Sequence, residues 1–223
     1  MRILHARVHL TLHELTTRLG VPLLLLHELY GNGKAWGDVA NDWPGSVYAL
    51  DFCGHGDSQW VSGGSYTPEL LVADADTALQ QLGGNVALAG SGIGAYVALL
   101  LAGARSNAVS AAVLLPGAGL EGGGAVPDFE RRRPDFWESI SRRDGDFDPM
   151  VRLLNIDIRP VDYAQQFATA ARALFLVEDG TARPPWWEAV RSHGKVELSA
   201  ADPRAVLSRA ATYCVSVSRP GEK

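Results

Sequence analysis

The stretch Asn85-Val-Ala-Leu-Ala-Gly90-Ser-Gly-Ile-Gly94-Ala-Tyr-Val-Ala-Leu-Leu100 reads as a strand, a tight glycine turn and a helix. Its centre, Gly90-Ser91-Gly92-Ile93-Gly94, has the spacing of a nucleophile elbow, Gly-x-Ser-x-Gly. In such an elbow the middle residue stands on a strained turn above the sheet, and the flanking glycines let strand and helix approach. The middle residue here is Gly92. Centring the frame on Ser91 would put Ala89 and Ile93 in the two glycine positions, so the spacing makes Gly92 the apex. The framework for an attacking hydroxyl is present and the hydroxyl is missing.

Strands and helices alternate on both sides of this turn. Upstream, Val21 to Leu26 reads as a buried strand, followed by a loop carrying Gly31 and Gly33, a short helical stretch near Ala35 to Asn41, and a strand at Val47 to Asp51. Thr67 caps a helix that begins with Pro68; its apolar stripe runs from Leu70 to Leu82, and Gly83 and Gly84 close it. The quoted stretch supplies a strand from Val86 to Ala89 and a helix from about Ile93 to Ala104. A strand of continuous apolar character follows at Val109 to Leu115. The alternation resumes with a helix near Val161 to Ala171, a strand at Ala173 to Val177, a helix around Pro185 to Arg191, a strand at Lys195 to Leu198 and a helix from Pro203 to about Cys214. Residues 216–223 read as a frayed polar tail. This pattern predicts an α/β fold with a mostly parallel central sheet covered by helices on both faces.

Between residues 117 and 160 the composition shifts to glycines, arginines and acids. This reads as a reduced cap, with a helix carrying Phe136, Trp137 and Ile140 whose apolar edge would support a homodimer. At the other end of the chain, Leu4, Ala6, Val8, Leu10 and Leu12 alternate with His5, Arg7, His9, Thr11 and His13, the period of an edge or hairpin strand with one wet face.

A chain of 223 residues, 47% of them hydrophobic, fills one globular domain spanning 1–223. A net charge of −5 argues against nucleic acid as a partner, which calls for a basic footprint. Arg2, Arg7, Arg18 and three histidines interrupt the first twenty residues, so neither a signal peptide nor a membrane span is expected. Two distant cysteines, Cys53 and Cys214, give no disulfide framework and point to a cytoplasmic setting.

No metal or cofactor is expected. Histidines four apart on a strand stand about 13 Å from one another, too far for one ion. Asp144, Asp146 and Asp148 imitate a calcium loop, but Pro149 takes the glycine position and Asn155 that of the bidentate glutamate. Gly90-x-Gly92-x-x-Ala95 matches a dinucleotide fingerprint, yet it follows the third strand of the unit and lacks the acidic ribose ligand after the next one.

Taken in order, several segments resemble the α/β-hydrolase superfamily. Leu23 to His27 resembles its strand into the His-Gly oxyanion loop, and Trp36 falls where that family has a helix tryptophan. Ala49-Leu-Asp-Phe-Cys-Gly-His-Gly-Asp-Ser58 resembles its Leu-Asp-x-Pro-Gly-His-Gly-x-Ser segment; Tyr66-Thr-Pro-Glu-Leu70, the elbow and Ala112-Val-Leu-Leu115 follow in the family order. The resemblance implies a triad pocket, and the departures gather there. Glu28 replaces the glycine after His27, where a side chain would crowd an oxyanion-binding N–H. Gly92 replaces the nucleophile. Asp179, in Glu178-Asp-Gly-Thr181, is a candidate for the acid although the turn is one residue short. The Ser199-Ala-Ala-Asp-Pro203 loop lacks the histidine, and His193 lies at the wrong end of its strand.

The expected function is therefore non-hydrolytic: binding of a small apolar molecule or a protein partner, in a pocket formed by His27, Glu28, Leu29, Ser91, Gly92 and Ile93. Two alternatives stay open. One is a lyase, cyclase or isomerase using His27, Glu28 or Asp179 as acid or base. The other is an ester or amide hydrolase with a displaced nucleophile, Ser91. His27 and His55 otherwise read as hydrogen-bonded packing, and Trp186 and Trp187 as one buried and one half-exposed ring.

Overall fold

The computed structural model describes residues 1–38, 41–60, 65–120, 146–156, 159–178, 183–193, 196–199 and 202–218. Among these, eight strands form one sheet: β1 (Arg2–His5), β2 (Val8–Thr16), β3 (Leu23–Leu26), β4 (Val47–Asp51), β5 (Val86–Ser91), β6 (Val109–Leu115), β7 (Leu174–Val177) and β8 (Val196–Ser199). Their order is β1-β2-β4-β3-β5-β6-β7-β8. From β4 to β8 every pairing is parallel, and the β1–β2 hairpin adds an antiparallel edge to β4. Strands β3, β5 and β6 are covered on both faces, which is why their sequences run apolar without alternating.

Among the described residues five α-helices accompany the sheet: α1 (Pro68–Gln81), α2 (Ile93–Ala104), α3 (Val161–Ala170), α4 (Pro185–Arg191) and α5 (Pro203–Ser218). Helix α1 starts as its sequence dictates, with the Thr67 hydroxyl accepting from the Leu70 amide at 3.3 Å. Successive β3 residues face opposite cores. Leu24 and Leu26 pack with α1 to α4, while Leu23 and Leu25 pack with α5, Trp36 and Trp43.

The N-terminal alternation proves to be two strands. A turn at Ala6 (φ 53°) and Arg7 pairs Ile3 with Leu10 and His5 with Val8, so Ile3 faces inward and Leu4 is 57% exposed. Two of the histidines on the expected wet face hold buried carboxylates: His5 Nδ1 meets Asp74 Oδ1 at 2.6 Å and His13 Nε2 meets Asp51 Oδ2 at 2.8 Å. The helical stretch after β3 is a 3-10 turn, Gly33–Trp36, ended at Gly37. Asp148, read as imitating a calcium ligand, accepts from the Tyr66 hydroxyl and the Met150 amide. Helix α5 continues through residue 218, past the expected end. The cap helix with Phe136, Trp137 and Ile140, and Asp144, lie outside the described residues. No described helix is long and apolar enough to cross a membrane. Cys53 and Cys214 are buried thiols outside any disulfide.

The elbow brings β5, α2 and β3 to minimal separation. A Cβ on Gly90 would stand 2.1 Å from the Gly94 carbonyl oxygen, and one on Gly94 would stand 2.1 Å from that of Leu26. Gly94→Ala is accordingly expected to cost about 3 kcal/mol and to lower Tm by roughly 6–12 °C. Calorimetric melting checks this, and a Tm within about 2 °C of the parent contradicts the packing.

Candidate functional site

Strand β3 passes to β4 on one side and β5 lies on its other side, so the order reverses between β3 and β5. Ligands of open parallel sheets bind at such a point, beyond the carboxyl ends of the strands. Three segments converge there: 27–31 after β3, 91–93 after β5 and 116–120 after β6. Gly92 has φ 55° and ψ −118°, a combination that L side chains avoid, and it caps the start of α2. The elbow geometry survives in full without its side chain.

The space above the apex is taken by the chain itself. The Ala118 carbonyl oxygen accepts from the Leu29 amide at 3.1 Å and from the Ile93 amide at 3.0 Å. One of these N–H groups follows the apex and the other comes from the loop after β3, the two places from which an elbow draws its oxyanion donors. A Cβ on Gly92 would stand 2.0 Å from the same oxygen. The loop is held from both sides: Glu28 Oε2 accepts from the Ala118 amide at 2.7 Å, and the Ser91 hydroxyl donates to the Pro116 carbonyl at 2.7 Å. Gly117 fits between them, since a Cβ there would lie 2.3 Å from Ser91 Oγ and 2.7 Å from Glu28 Oε2.

Several sequence expectations change accordingly. Glu28 does not crowd the N–H beside it; its carboxylate reaches across to hold the loop whose carbonyl that N–H binds. Ser91 spends its hydroxyl on the Pro116 carbonyl and has no imidazole partner among the described residues, which argues against a displaced nucleophile. His27 is 2% exposed and uses both ring nitrogens, with Nδ1–H donating to the Glu28 carbonyl at 2.7 Å and Nε2 accepting from the Phe52 amide at 3.2 Å. Burial pushes its pKa down to about 4, only partly opposed by the bond to Glu28. His55 is packed against it with ring centroids 4.8 Å apart, and burial, then the neighbouring His27, pushes it down to about 3. Neither ring is placed to act as a base near neutral pH. Leu29 and Ile93 are core residues beneath the loop.

A cavity of about 370 Å³ opens beside Gly92. It is bordered by Tyr30, the 115–120 loop, Asn155, Arg183 and the Trp186–Trp187 pair. Of the six residues expected in a pocket, Gly92 lines it and His27, Glu28, Leu29, Ser91 and Ile93 do not. Both tryptophans are buried, correcting the expectation of one half-exposed ring: Trp186 packs edge-on against Tyr96 at 5.0 Å and donates to the Leu120 carbonyl at 3.3 Å, and Trp187 packs edge-on against Trp186 at 5.4 Å. The Arg183 guanidinium lies 5.5 Å over the Trp187 ring. Asp179 lies outside the described residues; its neighbour Glu178 pairs with Arg191 at 2.6 Å. His193 pairs with Thr169 on α3.

His13, Asp51 and Asp57 bring potential ligand atoms within 4.8 Å of one another. These groups already satisfy each other and their surroundings: Asp51 accepts from the Gly33 and Asp57 amides and from His13, and Asp57 pairs with Lys34 at 2.8 Å. They fasten the loop after β4 to β2.

The sequence reading misses Tyr30, Asn155, Arg183 and the role of the 116–120 loop. They carry no motif, and the run Gly117-Ala-Gly119 was the one local hint that backbone there packs tightly.

The sequence profile of the alpha/beta hydrolase family matches residues 23–220, and the chain belongs to that family. No curated protein matches it. Among solved structures it is similar to a hypothetical protein from Pseudomonas aeruginosa PAO1, at 18% identity over 98% of this chain and 99% of that one, with a TM-score of 0.68. It is also similar to the bottromycin epimerase BotH, solved in complex with bottromycin A2, at 18% identity over 98% and 99% with a TM-score of 0.64. Est816, an N-acyl homoserine lactone degrading enzyme, shares 17% identity over 97% and 98% with a TM-score of 0.70. At these identities the likeness is one of fold.

The buried histidines make a pH prediction. Both folded pKa values lie below the ordinary 6.5, so the unfolded chain binds more protons between pH 6.5 and 4. Their contribution is complete above pH 6.5 and is lost as pH falls through this window, by on the order of 1 kcal/mol per pH unit for each ring. Urea unfolding at pH 7, 6 and 5 should show that fall, and His27→Gln should reduce its slope. A denaturation midpoint flat across the window contradicts the assignment.

Proposed function

We propose that this protein is a non-hydrolytic member of the alpha/beta hydrolase family that binds a small molecule in the cavity beside Gly92. The observation that carries the reading is the Ala118 carbonyl oxygen, bonded to the amides of Leu29 and Ile93 and standing where a side chain on Gly92 would begin. Acyl transfer requires a nucleophile at the apex and two free donors for the developing oxyanion. Here the apex has no side chain and the donors are occupied. The missing histidine after β8 supports the same reading.

A lyase, cyclase or isomerase acting through His27 or Glu28 has less support. His27 is neutral, buried and fully hydrogen-bonded, and Glu28 is bound to the Ala118 amide. Among the described residues the cavity wall contains no carboxylate and no imidazole. A cavity of about 370 Å³ favours a small ligand over a role confined to protein contacts. The two buried thiols, neither in a disulfide, suit a reducing, cytoplasmic compartment.

Activated esters and a serine-directed fluorophosphonate provide the test. The expected result is no turnover and no labelling, and stoichiometric labelling of Ser91 overturns the reading. In Gly92→Ser the new Cβ meets Ala118 and the backbone holds a strained φ, so Tm should fall by roughly 4–8 °C, corresponding to about 2 kcal/mol. No esterase activity should appear. A Gly92→Ser variant that hydrolyses esters contradicts the proposal.

A further inference from the structure

A second groove, of about 360 Å³, lies on the sheet face that α5 covers, whereas Trp186 and Trp187 of the first cavity pack on the other face. Helix α5 forms one wall with a single stripe at helical spacing, from Arg204 through Leu207 and Ala211 to Val215, and residues 42–44 form the other. Trp43, Leu207 and Ala211 make a buried apolar floor, and Val215 at the end of the stripe is 43% exposed. Trp43 is fixed by its indole N–H, which donates to the Val21 carbonyl at 2.8 Å. Two charged residues stand on the rim, Asp42 on one wall and Arg204 on the other. Neither side chain makes an ion pair or a hydrogen bond among the described residues.

Beside this groove stands Leu19, 99% exposed. The Arg18 guanidinium donates to the carbonyls of Asn41 and Trp43 at 2.7 and 2.8 Å, and the Arg18 amide donates to the Ser46 hydroxyl at 2.9 Å, so the turn bearing Leu19 is fastened to the segment that forms the groove wall. A single exposed leucine is ordinary on a protein surface. One held beside an apolar groove, with an unpaired acid and an unpaired base on the same rim, presents both halves of a contact. A two-fold interface requires this, because the same patch meets itself and must supply everything that it receives. We infer that a second copy of this chain covers this face through a two-fold axis, with Leu19 of each copy packed into the groove of the other and Asp42 of each facing Arg204 of the other. The contact leaves the cavity beside Gly92 open in both copies, since that cavity belongs to the opposite face.

Sedimentation velocity of the full chain between roughly 1 and 200 µM provides the test, and it should show a reversible equilibrium between monomer and dimer. Asp42→Arg and Arg204→Asp each set like charges against one another at two symmetry-related places, and each should weaken the dimer roughly tenfold or more. The double variant Asp42→Arg/Arg204→Asp exchanges the two signs and should return the affinity to within about threefold of the parent; an equimolar mixture of the two single variants should dimerise as well. Leu19→Asp should weaken the dimer roughly tenfold or more through the lost apolar contact. These side chains are exposed in the single chain, so melting measured below about 1 µM should match the parent and separates loss of contact from loss of fold. A chain that stays monomeric at roughly 200 µM leaves this face to some other partner and overturns the inference. So does a dimer that the single charge reversals and Leu19→Asp leave intact, because it forms elsewhere. A double reversal that associates no better than the single ones overturns it too.

Discussion

The carbonyl of Ala118 and the amides of Leu29 and Ile93 form the junction around which the carboxyl end of the sheet is organised. Buried backbone donors must find acceptors, and two that converge on one point require an oxygen there. In this chain the oxygen comes from the loop after β6. Three sequence features follow from that choice. Position 92 must lack a side chain, because a Cβ would lie 2.0 Å from the oxygen; position 117 must lack one to pass between Ser91 and Glu28; and Glu28 must be long and acidic enough to reach the Ala118 amide. Features that look like separate losses become one mutually dependent arrangement.

The same geometry bears on energetics. Donors aimed at a point where charge would develop normally serve a transition state. Once an internal carbonyl occupies that point they contribute to the folded state, and glycine relieves the side-chain strain that an elbow apex otherwise stores. The walls of the neighbouring cavity include an arginine stacked on a tryptophan and flat aromatic surface.

Much of the architecture was legible because its local signals agree. The cap at Thr67, the glycine turn after β5 and the unbroken apolar strands each depend on residues within a few positions of one another, and α1, α2 and β6 fall where the pattern puts them. The N-terminal alternation misled because the turn at Ala6 and Arg7 changes which residues face inward, pairing Ile3 with Leu10. The site was legible only at the elbow. Glu28 reads locally as an obstruction and acquires its role from Ala118, ninety residues away. Arg183 and Asn155 lie on different segments and meet at the cavity only through the fold, so no spacing within either segment could announce them.

Native-state hydrogen exchange of the Leu29 and Ile93 amides, followed by NMR, addresses the occupied junction most directly. If the Ala118 carbonyl holds both donors, the two amides exchange as slowly as those inside β5 and β6, and only through opening of the sheet. Exchange at the rate of exposed loop amides, with the strands still protected, would mean that the junction stands open and would contradict the account.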